Sequence, residues 1–176
     1  MSLFRYSWGV NQQERLLDFP CDSLIEPFDD TYHIGISIKA SPEIIFRGLC
    51  QLRVTTYAFG HNDSPCLKPG LDTLVIGQTV MEFFEIVSFV FNKHLTIRTK
   101  KGTRESKFYG DVAVSYVIIP KSEYQCRLLV RCHIKYPKIL GILLRFVLPW
   151  GDLIMMRIQL QNIKKLSEQM QKRQAA

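Results

Sequence analysis

Four histidines, His33, His61, His94 and His133, are the side chains of this sequence best suited to move a proton or hold a metal near neutral pH. They are scattered. His33 and His133 fall within alternating, strand-like runs at positions that face away from the apolar side, so an outward orientation is expected for both. His61, Asp63 and Cys66 form one tight group of ligand types, inside GHNDSPCLKPG (60–70), a turn-rich stretch where such residues are common without any metal. Glu82 and Glu85 stand three apart on an expected strand, which puts them on opposite faces and prevents them from sharing acid–base work. There is no glycine-rich phosphate loop. The sequence therefore calls for no metal and no cofactor, and assigns no catalytic residue.

What surrounds these groups is one globular domain's worth of chain: 176 residues, 47% hydrophobic, enough to fill a sizeable core. Cys21, Cys50, Cys66, Cys126 and Cys132 are odd in number and lack CxxC spacing, which argues for reduced thiols rather than a disulfide framework or a zinc knuckle. Near the start, Asn11, Gln12, Gln13, Glu14 and Arg15 interrupt any apolar leader, so a cytoplasmic location is expected. Net charge is +7, unevenly spread: residues 1–30 hold Arg5 and Arg15 against six acids, leaving +11 on the remainder. A basic body draws anionic partners. Without a long Lys/Arg run, a helix-turn-helix pattern or an aromatic RNA-binding consensus, nucleic acid is not the expected one.

The elements that must position these side chains follow from periodicity. Residues 1–30, with Pro20 and Pro27, read as an irregular arm whose acidic charge answers the basic body; a single domain over 31–173 follows. YHIGISIK (32–39) alternates, with Ile34, Ile36 and Ile38 on one side. Ser41 then suits a helix cap, Pro42 the first helical position, and Ile45, Leu49 and Leu52 recur at helical spacing, giving a helix over 42–52. Strands are expected at 79–86, 87–91, 94–100, 110–119 and 126–136, with turns at 92–93, 101–102 and 120–123. In the last strand Cys126, Leu128, Val130, Cys132, Ile134 and Tyr136 face one way, while Arg127, Arg131, His133 and Lys135 face the other.

The greasy stretch ILGILLRFVLPWGDLIMM (139–156) is broken by Arg145, Pro149, Gly151 and Asp152 before it could span a bilayer. Pro149 is expected to divide it into an apolar flap over 138–148 and a new helix from Trp150. Along that helix Leu153, Met156, Leu160, Ile163, Leu166 and Met170 form one stripe, with Gln159, Gln161, Lys164 and Lys165 between them. Ile154, Met155 and Ile158 lie off the stripe, so the helix's first half is expected to be enclosed or to face a cavity.

Strand, helices, meander and long terminal helix make an α+β arrangement. FPCDSLIEPFDDTYHIGISIKASPEIIFRGLCQL (19–52) resembles the start of START-like proteins of the polyketide cyclase/dehydrase and lipid-transport superfamily (SRPBCC), through Pro20, Asp22, Ala40, Ser41, Pro42, Glu43, Gln51 and Leu52. LPWGDLIMMRIQLQNIKKLSEQM (148–170) is similar to that group's terminal helix, through Met155, Arg157, Ile163, Lys164 and Glu168. The resemblance implies the helix-grip fold of the birch-pollen-allergen type: a curved antiparallel sheet of about seven strands around a long C-terminal helix, with two short helices after the first strand and a cavity for hydrophobic ligands. RVTTYAFGHND (53–63) keeps Tyr57 but departs from the Gly-rich stretch of those proteins.

Two functions fit. One is non-catalytic binding or transport of a hydrophobic small molecule, a lipid or polyketide-like compound, in a cavity lined by Tyr57, Phe83, Tyr116, Trp150, Ile154, Met155, Arg157 and Ile158. Phe84 and Tyr109 add to the aromatic strand residues behind this reading. The alternative is a polyketide cyclase/dehydratase-like enzyme, for which Arg157, Tyr57, Tyr116 and Asp152 are the available polar groups, none with an assigned proton-transfer role. A transient contact with an anionic membrane through Lys138, Arg145 and the apolar residues between them stands as a third reading. The sequence leaves the oligomeric state open.

Overall fold

The computed structural model describes residues 6–53, 70, 73–137 and 141–174, with side chains throughout except those of 53, 105, 108–109 and 141–152. In chain order the elements are β1 (Tyr6–Trp8), α1 (Gln12–Arg15), β2 (Asp30–Ile38), α2 (Pro42–Cys50) with a 3-10 turn at Gln51–Arg53, β3 (Thr79–Val80), β4 (Phe84–Val90), β5 (His94–Thr99), α3 (Arg104–Tyr109), β6 (Asp111–Ser122), β7 (Gln125–Lys135) and α4 (Gly141–Gln174). The strands form one curved, open seven-stranded sheet in the order β1-β2-β7-β6-β5-β4-β3, antiparallel except where β1 runs parallel to β2. This is the α+β architecture expected.

The inner face of the sheet holds Tyr32, Ile34 and Ile38 of β2, Val114, Tyr116 and Ile118 of β6, and Leu128, Val130 and Ile134 of β7, all buried in one cluster with Met156, Leu160 and Ile163 of α4. Alternation made this face, because every second residue of these long strands is apolar. α2 closes one end. The Ser41 hydroxyl accepts from Ile44 N at 3.4 Å and Pro42 opens the helix. α4 is tied to the same corner: Lys39 N donates to Glu168 Oε1 at 3.0 Å, Ser41 N donates to Gln171 Oε1 at 2.9 Å, and Gly48 lets Ser167 and Ile163 approach.

Several expectations are corrected. α4 runs unbroken through Pro149, although the proline offers no N–H to the Arg145 carbonyl one turn back, so there is no separate flap over 141–148. The strand expected at 79–86 is split, because Met81 and Glu82 take left-handed conformations (φ 48° and 68°) that turn the chain between β3 and β4. β4 then continues across the boundary expected at 86–87, with a register shift between Ile86 and Ser88. Glu82 therefore sits in a turn, not on a strand. α3 was not anticipated; Thr103 caps it by accepting from Ser106 N at 3.1 Å, and Gly110 (φ 92°) ends it.

The arm is more ordered than its prolines suggested. β1 joins the sheet edge, and Asn11 and Glu14 make a reciprocal capping box on α1. Phe19, Cys21 and Ile25 then pack on Ala113 and Leu129 of the outer face. Gly9 and Gly35 permit this crossing: a Cβ on Gly9 would lie 2.2 Å from the Gly35 carbonyl oxygen. The charge complement expected between arm and body is present, since Arg127 Nε donates to Glu14 Oε1 at 2.8 Å and Arg131 Nη1 to Asp22 Oδ2 at 2.7 Å. Cys21, Cys50, Cys126 and Cys132 are buried.

Candidate functional site

Between the sheet and α4 the wall is apolar, with one polar pair at its centre. The Tyr116 hydroxyl of β6 donates to Gln159 Oε1 of α4 at 2.8 Å, and Gln159 Nε2 stands 3.8 Å from the Met81 sulfur. Tyr116 and Gln159 are both buried, and burial pushes the phenol well above its ordinary range. A phenol held protonated in this way donates a hydrogen bond but is no base at neutral pH. Farther along the same face the Tyr32 and Tyr136 hydroxyls are 3.2 Å apart, with Tyr6 edge-on to Tyr32 at 5.2 Å. Sequence reasoning missed Gln159, which reads as one of the polar residues between the apolar positions. Its angular place, one position before Leu160 and three after Met156, was the available signal.

Of the residues expected to line a cavity, Tyr116 is at this interface. Phe83 is half-buried in the β3–β4 turn, its ring 4.6 Å from that of Phe84. Tyr57 lies outside the described residues, as do His61, Asp63, Cys66 and Lys138. Trp150, Asp152 and Arg145 are described only as backbone of α4, and Tyr109 as backbone ending α3. The enclosure expected for Ile154, Met155 and Ile158 is corrected: they are 59%, 39% and 44% exposed. At 100° per residue these positions point roughly 100–160° away from the buried stripe of Met156, Leu160 and Ile163. Arg157 is exposed too, its guanidinium 4.7 Å above the Trp8 ring.

The outer face holds a connected set of polar side chains. His33 and His133, expected to face solvent, point outward from the sheet but are buried, because the arm lies over them. The Asp22 carboxylate accepts from Phe19 N at 2.8 Å, from Arg131 Nη1 at 2.7 Å and from His133 Nε2 at 2.9 Å. That leaves His133 Nδ1 to accept the Thr31 hydroxyl at 2.8 Å, while Phe28 stacks on the ring at 4.2 Å. Arg131 also donates to the Arg15 carbonyl at 2.6 Å and lies over Phe19. Burial lowers the affinity of His133 for a proton, opposed by Asp22; burial and neighbouring Arg131 bring His33 down to about 4. Asp22 itself stays ionised, its carboxyl held low by these donors against the opposing effect of burial.

Cys21, Asp22 and His133 bring three ligand atoms within 4.8 Å of one another. The donor set does not suit a cation. Arg131 already occupies the carboxylate, both imidazole nitrogens are engaged, and burial pushes the Cys21 thiol up to about 11, away from the thiolate a metal needs. The arrangement does what a clamp does: it fixes the arm to β7.

An open groove of about 1070 Å³ runs where the arm, α2, the β4–β5 turn and the end of β6 meet. Its apolar walls include Pro20, Pro42, Phe91, Val117 and Ile119, with Asp18 and Glu43 among its polar residues.

No protein-family model matches the chain, and no curated protein sequence matches it. Solved structures do. A hypothetical protein of Helicobacter pylori is 11% identical and superposes with a TM-score of 0.58 over 86% of this chain and 95% of that one. A norcoclaurine synthase mutant from Thalictrum flavum is 13% identical, with a TM-score of 0.50 over 80% and 95%. The di-domain ARO/CYC protein BexL of the BE-7585A biosynthetic pathway is 9% identical, with a TM-score of 0.51 over 77% of this chain and 45% of that one. Likeness at these identities concerns the fold, and the fold is a helix grip. Among the described residues no helix is long and apolar enough to cross a membrane.

Proposed function

We propose that this protein binds a hydrophobic small molecule, lipid-like or polyketide-like, between the inner face of the sheet and α4, and that it carries rather than transforms it. The observation behind the reading is the Tyr116–Gln159 hydrogen bond set in a largely apolar wall, since an apolar lining with a few fixed polar groups is how such sites hold and orient ligands. The fold adds support, because norcoclaurine synthase was solved with a transition-state analogue bound and BexL is an ARO/CYC protein. Carriage is favoured over catalysis because Tyr116 is held protonated and Gln159 does not titrate. Arg157, the cation named for an enzymatic role, stands outside on Trp8.

The described residues of this wall are buried, so a ligand would enter by α4 moving away from the sheet. The test is native mass spectrometry of the freshly purified chain, followed by titration with a fluorescent fatty acid. Binding is expected, with Tyr116→Phe and Gln159→Leu each weakening it several-fold by removing a polar anchor. Loss of binding in Phe91→Ser alone, with the Tyr116 and Gln159 variants unaffected, would move the ligand to the open groove and overturn the reading.

A further inference from the structure

The outward side of α4 has a composition that neither the core nor the proposed ligand site explains. Ile154, Ile158, Gln161, Lys165 and Lys172 follow one another at four, three, four and seven residues, which is a single stripe on a helix. Met155 and Arg157 flank it. The stripe changes character along its length. Its first two turns are apolar and exposed, whereas the later turns are cationic: from 153 to 174 the helix carries five Lys and Arg against the single acid Glu168. Lys164, Lys165 and Lys172, with Gln161, Gln169 and Glu168, also line an open depression of about 360 Å³. Glu168, the acid of this surface, stands 3.8 Å from Lys164 and accepts from Lys39 N at 3.0 Å, so its charge is partly answered within the protein.

We propose that this face of α4 docks on the surface of an anionic bilayer, with Ile154, Met155 and Ile158 entering the headgroup–acyl boundary and the lysine-lined depression taking lipid phosphates. The choice of occupant rests on charge and on order along the helix. An apolar patch alone would serve a second copy or a protein partner equally well. Here it runs into a lysine surface on a chain of net charge +7, and a second copy would bring the same positive charge against it. Ile158 and Lys165 are seven residues, about 10 Å, apart along the axis. A helix lying flat can therefore bury the first in the boundary region while the second reaches headgroups with its long stem. Arg157 on Trp8 adds an aromatic–cation pair beside the apolar end. Lys138 and the side chain of Arg145, named for a membrane contact from sequence, lie outside the described residues, and the docking face proposed here is built on the exposed Ile154, Met155 and Ile158.

This docking does not depend on the ligand reading, and its test is separate. The full chain is sedimented with vesicles of phosphatidylcholine alone and with vesicles containing about one-third phosphatidylserine, at low and at high salt. Sedimentation is expected with the anionic vesicles only, and to be lost at high salt. Ile154→Ser/Ile158→Ser should weaken it about tenfold or more. Lys165→Gln/Lys172→Gln should weaken it roughly 25-fold, at about fivefold for each cation near the surface. Being exposed, these substitutions should leave the thermal midpoint unchanged, which circular dichroism checks. Equal binding to neutral vesicles, no binding at all, or variants that bind like the parent would overturn the proposal. So would a concentration-dependent dimer in light scattering that the isoleucine pair abolishes while vesicle binding persists.

Discussion

Replacing Asp22 with asparagine should release the N-terminal arm from the sheet, and the cost can be worked from its three contacts. The carboxylate accepts from Phe19 N, Arg131 Nη1 and His133 Nε2 at 2.8, 2.7 and 2.9 Å. Asparagine keeps one carbonyl oxygen and adds an NH2 that points a donor at donors, so not all three bonds survive. Removing one member of a buried ion pair costs about 3–5 kcal/mol, mainly through the orphaned charge. Arg131 is that charge, with its side chain 8% exposed, but Asp22 is 34% exposed and water screens part of the loss. A cost of about 2–3 kcal/mol follows, or roughly 4–12 °C in the melting midpoint of a chain this size. The assay is urea denaturation combined with hydrogen exchange, in which amides of 19–29 should lose protection before those of β6. Asp22→Asn/Arg131→Met should recover part of the loss, because the penalty belongs to the unpaired cation. A midpoint within 1 °C of the parent, or an arm as protected as before, would refute the clamp.

Stability should fall on mild acidification, with the sign set by the histidines. His33 is depressed to about 4 from an ordinary 6.5, so below pH 6.5 the unfolded chain binds a proton that the folded chain refuses until about pH 4. The loss should reach about 2 kcal/mol between pH 7 and pH 5, with His133 adding in the same direction, and His33→Gln should flatten the urea-midpoint profile. A midpoint that rises on going from pH 7 to pH 5 would show the opposite linkage. Gly9→Ala should cost at least about 2 kcal/mol, since the residue has φ +68° and its new methyl would meet the Gly35 carbonyl. Gly102→Ala, at φ +80° with open space around it, isolates the conformational part at about 1 kcal/mol, and similar losses for the two in thermal melts would sink the crossing argument.

What was legible in the sequence was whatever depends on a residue and its near neighbours. The alternation in β7 gives the correct inner and outer sets, and Ser41-Pro42 marks the start of α2. Asn92, at φ 62°, marks the β4–β5 turn. Pro149 misled because a local rule, that proline ends a helix, was overridden along a helix long enough to carry one missing hydrogen bond. Ile154, Met155 and Ile158 misled in another way: apolar type was read as burial, although apolar atoms make up much of any folded surface and only angular position says which side faces in. The outer-face cluster was least accessible of all. His33, Arg131 and His133 look like a solvated polar face in their own strands, and what buries them is a segment about a hundred residues away from β7. Asp22 was quoted as part of a family-like turn, yet its chemistry appears only where Arg131 and His133 converge on its carboxylate. Gln159 is the same lesson on the inner face: within α4 only its angular place beside Met156 and Leu160 sets it apart from Gln161, and Tyr116, 43 positions earlier, makes it a buried hydrogen-bond partner in that wall.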